Sequence, residues 1–233
     1  MKIVGLTLMA GMAMPVGALL ARIERIRPEW LEQEFRHGVI AFGGGALLSA
    51  VALVLVPEGI VDLSIPWVVL LFGAGGTFFM FLDRMLARSA TPASQLVAMV
   101  SDFIPEALAL GAAFALNPNT AVLLTILMML QNAPEGFNAY RELMEKRTDG
   151  GGKVIAAFAA MALLGPICGL SGYFWLSDFP RVVSGIMLFA AGGILYLVLQ
   201  DIAPQAKLEK HWAPSLGAVA GFLLGLIGHM MIH

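Results

Sequence analysis

Long apolar stretches separated by short polar connections run through the whole chain. A helix needs about 20 apolar residues to cross the ~30 Å hydrocarbon core of a bilayer, and eight stretches approach that length. Each is predicted to be helical, because lipid offers the backbone no hydrogen-bond partners. The eight predicted spans cover residues 3–21, 38–56, 66–82, 96–116, 119–140, 153–176, 182–200 and 214–232.

This pattern predicts an all-α fold, a polytopic membrane protein that forms one unit over residues 1–233. The two longest hydrophilic connections, 22–37 and 141–153, are too short for a soluble domain, so any activity is expected to reside in the bundle. The first stretch leads directly into a basic connection without a small-x-small cleavage site, which favours a span over a cleaved signal peptide.

Composition supports a membrane protein and excludes several soluble classes. Hydrophobic residues make up 59% of the chain, and charged residues 13%, which is about half the usual share in a soluble domain. The formal net charge of −2 creates no field that attracts a nucleic acid, so no nucleic-acid partner is expected. A single cysteine, Cys168, excludes a disulfide framework.

The basic residues are distributed unevenly over the two sides of the predicted bundle. Eight spans put both termini on the same side, and of the 14 basic residues only Lys2 and Arg181 fall there. Loops rich in Lys and Arg stay in the cytoplasm. We therefore expect an integral protein of the cell inner or plasma membrane with both termini outside the cytoplasm.

Two of the predicted spans carry polar residues far from their ends. The fourth contains Asp102 and Glu106, and the fifth contains Gln131, Asn132 and Glu135. Asp102 and Glu106 are four residues apart, as are Gln131 and Glu135, so each pair shares one helix face. Ionisable residues at such depth are costly and indicate a functional site.

A proline precedes an acid in each of these spans, Pro105 before Glu106 and Pro134 before Glu135. Proline lacks an N–H group, so one carbonyl in the preceding turn loses its helical partner. Two such helices would present carboxylate, amide and carbonyl oxygens at one depth, a set suited to a divalent cation. The alternative is a pair of proline-containing helices whose acids are protonated and hydrogen-bonded to their neighbours.

The second and seventh spans are similar in sequence. Segments 42–58 and 189–205 match at five of 17 positions without a gap. Spans 2 and 7 run in opposite directions in the predicted topology, as do spans 4 and 5, which indicates an inverted repeat with a binding site at the midplane. Chance similarity between glycine-rich helices is the alternative. Near the inner end of span 7, Asp201 is the best candidate for a further ligand at the entry or the exit.

These features resemble the Zrt/Irt-like (ZIP) family of metal transporters. That family has eight spans with both termini outside, a motif H-N-x-P-E in span 4 and a motif H/Q-x-x-P-E-G in span 5. Residues 102–106 (DFIPE) and 131–136 (QNAPEG) correspond to these motifs. The resemblance implies an inverted-repeat (3+2+3) ZIP-like bundle. The candidate metal ligands are Asp102, Glu106, Gln131, Asn132, Glu135 and Asp201.

The sequence departs from the family pattern at positions that bind the metal in that family. Asp102 stands where the family usually has a histidine, and Gly165-Pro166 occupies the place of a glutamate found in span 6 of many members. We therefore expect one metal site rather than two. Oxygen ligands also weaken any preference for Zn²⁺ and make Mn²⁺ or Fe²⁺ more plausible.

The resemblance implies inward transport of a divalent cation (Zn, Fe or Mn) by alternating access. The cation is then substrate, no organic cofactor is expected, and the absence of an H-E-x-x-H motif or a phosphate loop argues against an enzyme. The alternative is a ZIP-like membrane protein with a degraded site, acting as a metal sensor or a non-transporting partner. The expected surroundings are the lipid bilayer, and a homodimer is left open by one stripe of small residues, Gly217, Gly221, Gly225 and Gly228.

Overall fold

The computed structural model describes residues 2–23, 29–89, 92–145, 150–176, 178–206 and 212–232. Within these ranges the chain forms eight helical rods and no strand, so the all-α prediction is confirmed there. The rods are α1 (Lys2–Ile23), α2 (Glu29–Ala50, Val51–Leu55 and Val56–Gly59), α3 (Ile65–Ser89), α4 (Pro92–Leu116), α5 (Pro118–Glu145), α6 (Gly151–Leu176), α7 (Pro180–Ala206) and α8 (Ala213–Ile232).

Six of the rods in the described part of the chain are long and apolar enough to cross a membrane, namely α1, α2, α3, α6, α7 and α8. These helices are compatible with an integral membrane protein, as the apolar pattern predicts. The other two, α4 and α5, carry the polar residues of the candidate site. The prediction of eight spans is thus supported for six rods and stays a prediction for α4 and α5.

Burial separates the central helices from the peripheral ones. The apolar portions of α2 and α7 are mostly buried, whereas those of α3 and α8 are mostly exposed. Helices α4 and α5 fill the interior between them. Their side chains Phe103, Leu110 and Leu127 are almost completely buried. The candidate site therefore lies mainly on two helices that contribute side chains to the buried interior.

Three of the described helices contain one turn of π-helix; that of α6, Gly172–Leu176, lies at the end of the helix, and those of α2 and α7 lie at comparable places. The π-helical turn of α2 is Val51–Leu55, and that of α7 is Val198–Ile202. In contrast, α4 and α5 remain α-helical through Pro105 and Pro134. A π-helical turn widens the backbone locally and is found frequently at functional sites.

Glycines allow four pairs of the described helices to pack backbone against backbone, and each pair makes the contact from both sides. Between α1 and α5, a Cβ atom at Gly17 would collide with the carbonyl oxygen of Ala133, and one at Gly136 would collide with that of Met14. The other three pairs are α4 with α6 (Gly111 to Gly169, Gly172 to Leu108), α2 with α8 (Gly45 to Ala218, Gly221 to Phe42) and α3 with α7 (Gly75 to Phe189, Gly192 to Phe72).

The small-residue stripe of α8 is used inside the chain. Its glycines approach α2 and α5, the neighbours being Gly38 for Gly217, Phe42 for Gly221, Ser49 for Gly225 and Leu123 for Gly228. Small residues permit such close helix approach within a membrane. The stripe is therefore explained by packing within one chain and gives no support to a homodimer.

Candidate metal site

Glu106 of α4 and Gln131 of α5 face each other in the interior of the bundle. The amide nitrogen Nε2 of Gln131 donates to both carboxylate oxygens of Glu106, with N···O distances of 3.0 Å each. The side chains are only 6% and 4% exposed, respectively. Because a buried carboxylate is costly without donors, this two-fold contact is what holds Glu106 toward α5.

Asn132, the next residue of α5, is buried against a different helix. Its amide nitrogen Nδ2 donates to the backbone carbonyl of Ala10 in α1, at 2.9 Å. This bond joins α5 to α1 in the same interface as the contact between Gly136 and Met14. Asn132, predicted as a peripheral metal ligand, thus has its amide nitrogen engaged in helix packing.

A cavity of about 420 Å³ lies between α2, α3, α4, α5 and α7. It extends along the C-terminal part of α5 toward the end of the bundle at which α3 ends and α4 begins. Its polar lining residues come from four helices: Asp83 of α3, Asp102 of α4, Gln131, Glu135, Asn138 and Glu142 of α5, and Asp201 and Gln205 of α7.

One face of α5 supplies half of this polar lining. Gln131, Glu135, Asn138 and Glu142 follow one another at intervals of three or four residues, which is the spacing of a single helix face. The Oδ1 atom of Asn138 is shielded from solvent and has no hydrogen-bond partner among the described residues. This polar face of α5 therefore presents oxygen acceptors from the interior to the end of the bundle.

Asp201 lies on the opposite side of the same cavity. It interacts electrostatically with Asp83, which accepts a hydrogen bond from the Tyr196 hydroxyl at 3.1 Å. The tyrosine therefore fixes the Asp83 carboxylate at the border between α3 and α7. Asp201, predicted as a ligand at the entry or the exit, reaches the cavity from α7.

Three acids concentrate negative charge where the cavity meets the interior. The charges of Asp102 and Glu135 both act on Glu106, and that of Asp102 also acts on Glu135. Carboxylates that are close together and poorly hydrated repel one another, and protons or a cation relieve that repulsion.

Four of the six predicted ligands line one cavity, namely Asp102, Gln131, Glu135 and Asp201. Glu106 is held by Gln131 at the inner side, and Asn132 is held by α1. Over the described ranges, no group of three or more His, Cys, Asp or Glu side chains is close enough to hold a metal ion. A cation in this conformation would need amide and water oxygens beside the carboxylates.

Besides Gln205 of α7, sequence reasoning missed two polar residues on the α5 side of the cavity, Asn138 and Glu142. The signal was present, because both continue the three-or-four-residue spacing that begins at Gln131 and Glu135. The proline motif ends at Gly136, whereas the polar helix face continues to Glu142.

Comparison of the chain with protein-family models finds no match, and comparison with curated proteins finds none. The resemblance to the ZIP family therefore depends on the motifs and the topology described above, and stays a prediction.

Proposed function

We propose that this chain is a membrane transporter that moves a divalent transition-metal cation across the bilayer by alternating access. The observation that carries the proposal is the cavity lined by acids and amides that leads from Gln131 to one end of the bundle. Ionisable side chains in an apolar bundle are expensive, and they are usually retained along an ion pathway. A purely structural bundle has no need of such a lining.

The cation site proposed here is formed by α4 and α5. Asp102 and Glu135 supply carboxylate oxygens, Asn138 supplies its unpartnered amide oxygen, and Gln131 supplies its amide oxygen because its nitrogen is turned to Glu106. Glu106 joins the set when Gln131 releases it. Oxygen ligands of this kind suit Mn²⁺ and Fe²⁺, and Zn²⁺ also accepts carboxylates.

Alternating access would follow from an inverted repeat, in which α1–α3 and α6–α8 flank α4 and α5. Gly45 and Gly192 occupy the same position when 42–58 is aligned with 189–205, and both approach a backbone carbonyl of a peripheral helix. The π-helical turns Val51–Leu55 and Val198–Ile202 also coincide in that alignment. These coincidences support the proposed repeat, which is the 3+2+3 arrangement implied by the ZIP resemblance.

The proposed direction of transport is inward. The cavity extends toward the end of the bundle that carries Arg84, Arg88 and Arg141, and basic loops mark the cytoplasmic side. The described conformation is then open to the cytoplasm, with both termini on the other side of an inner or plasma membrane.

Uptake of Mn²⁺ into proteoliposomes that contain a fluorescent metal indicator tests the proposal. The unmodified protein should admit Mn²⁺, and Glu135→Gln should slow uptake by about tenfold or more, because even indirect contacts to a metal are worth that much. Asp178→Asn is the matched control, since Asp178 is an exposed acid outside the cavity. Uptake at an unchanged rate in Glu135→Gln would contradict the site, and a folded protein without uptake would contradict transport.

A second candidate function is a metal sensor or a non-transporting membrane partner built on the same scaffold. The observation that favours it is the lack, in the part of the chain that the structure describes, of three closely grouped metal-binding side chains. Binding of Mn²⁺ by the purified protein, combined with no uptake in proteoliposomes, would select this alternative.

A further inference from the structure

The glycine contacts define which positions of α4 correspond to positions of α5. On α4, the Leu108 carbonyl and Gly111 contact α6, and on α5 the Ala133 carbonyl and Gly136 contact α1 in the same manner. Matching these contacts places Glu106 in correspondence with Gln131, since each lies five residues before its glycine. This register differs by about one turn from an alignment of the two Pro-Glu motifs.

The peripheral helices α3 and α8 correspond to each other in the same way. On α3, the Phe72 carbonyl and Gly75 contact α7, and on α8 the Ala218 carbonyl and Gly221 contact α2. Asp83 then corresponds to His229, because each lies eight residues after its glycine. The alignment of 42–58 with 189–205 further relates Gln205 of α7 to Glu58 of α2.

Each polar residue of the cavity acquires a counterpart by this matching. Gln131 corresponds to Glu106 at the centre of the bundle, and Asp201 corresponds to Val54. The other six pairs fall into two groups. Deep positions have apolar counterparts: Leu127 for Asp102, Leu110 for Glu135 and Ala113 for Asn138. Positions at the mouth have polar counterparts: Glu58 for Gln205, Asn117 for Glu142 and His229 for Asp83.

In the described conformation the apolar counterparts are packed in the protein interior. Leu110, Ala113 and Leu127 are buried members of the hydrophobic core. Helix α8 packs closely on Leu127, since a Cβ atom at Gly225 would lie 3.2 Å from this side chain, and the next turn of α8 approaches α5 at Leu123. Leu110, Ala113 and Leu127 are thus packed in the core, whereas their counterparts Glu135, Asn138 and Asp102 line an open cavity.

We propose that a second cation entrance opens at the end of the bundle marked by Glu58, Asn117 and His229, with Leu110, Ala113 and Leu127 as its closed gate. The gate presupposes the transport function proposed above. The two halves of an inverted repeat exchange conformations during transport, so residues that line one cavity are replaced by their counterparts in the other. The carboxylate, amide and imidazole at the mouth are ligand types that divalent cations use.

Thiol accessibility in proteoliposomes tests the gate. Cys168→Ser removes the single native cysteine. Ala113→Cys is then introduced at the gate, Asn138→Cys at its counterpart, and Ala18→Cys at a buried position away from both routes. A membrane-impermeant charged methanethiosulfonate is applied from either face while Mn²⁺ transport is measured in parallel.

Asn138→Cys should react from the face of the open cavity, and Ala113→Cys from the opposite face. Even if the second conformation holds only a few per cent of the molecules, Ala113→Cys should react at least about tenfold faster than Ala18→Cys. Leu127→Cys serves as a second gate position if Ala113→Cys does not fold, and it should show the same sidedness.

The outcomes separate the gate from the transport function. If the protein takes up Mn²⁺ while the folded gate variant reacts no faster than Ala18→Cys, the gate is wrong and the transport function stands. Reaction of the gate cysteine from the same face as Asn138→Cys also overturns the gate. Failure of the unmodified protein to take up Mn²⁺ overturns the transport function, and the gate with it.

Discussion

Glu106 remains buried in the bundle because the Gln131 amide donates hydrogen bonds to both of its oxygens. Gln131→Leu removes both donors and leaves a buried carboxyl group without them, which should lower the free energy of unfolding by about 1–3 kcal/mol. Adding Glu106→Leu should recover part of this loss, with a coupling energy of about 1 kcal/mol or more. Denaturant unfolding in detergent micelles measures the full cycle, and strictly additive effects would contradict the pairing.

Asn132 and Glu135 should respond in opposite ways to substitution. Asn132→Ala removes the bond to Ala10 and should cost about 1–3 kcal/mol of stability. The affinity of the Asn132→Ala variant for Mn²⁺ should stay unchanged, because Asn132 does not line the cavity. Glu135→Gln should instead weaken Mn²⁺ binding and leave stability nearly intact. Titration calorimetry measures the Mn²⁺ affinity of both variants. A large loss of affinity in Asn132→Ala would show that Asn132 is a metal ligand.

Helix packing depends on glycines that accept a neighbouring backbone. Gly136→Ala would drive a Cβ atom into the Met14 carbonyl and should destabilise the bundle by about 1–3 kcal/mol. Gly73→Ala is the matched control in another helix, since nothing lies within 4 Å of its Cβ position. This control should change stability by about 1 kcal/mol at most. Equal effects in unfolding experiments would show that the backbone contact does not constrain α1 and α5.

The apolar pattern predicts that the helices exist, but it places their ends poorly. The predicted second span begins at residue 38, whereas α2 begins at Glu29, and α5 continues to Glu145. Hydropathy reports only the part of a helix that matches hydrocarbon. Polar segments rich in Glu, Gln and Arg continue the helix beyond that part, because these residues are good helix formers.

Helix-face spacing predicts part of the site and misses its hydrogen bonds. Asp102 and Glu135 were expected near each other from their depth in the spans, and both line the cavity. The pairing of Gln131 with Glu106 depends on the position of α4 along α5, which the Pro-Glu motifs do not specify. Sequence motifs alone matched one Pro-Glu to the other. Such a comparison cannot detect a shift of one helical turn between α4 and α5.

At the scale of the whole molecule, α4 and α5 decide how many times the chain crosses the bilayer. Their described segments were not among the six rods selected by length and apolar composition, although Phe103, Leu110 and Leu127 on them are almost completely buried. Surrounding helices can cover polar residues that lipid would reject, provided the residues pair with one another. An eight-span arrangement is therefore physically consistent with a polar α4 and α5.

The position of the connection between α4 and α5 tests this arrangement. In a Cys168→Ser background, Lys2→Cys, Arg88→Cys and Asn119→Cys place a thiol at three exposed positions. If α4 and α5 both span, an impermeant reagent added to intact cells should label the cysteines at 2 and 119, and the one at 88 only after permeabilisation. The charge bias sets this sidedness. If α4 and α5 instead form a hairpin that does not cross, residue 119 stays on the side of residue 88, and labelling of both only after permeabilisation would refute eight spans.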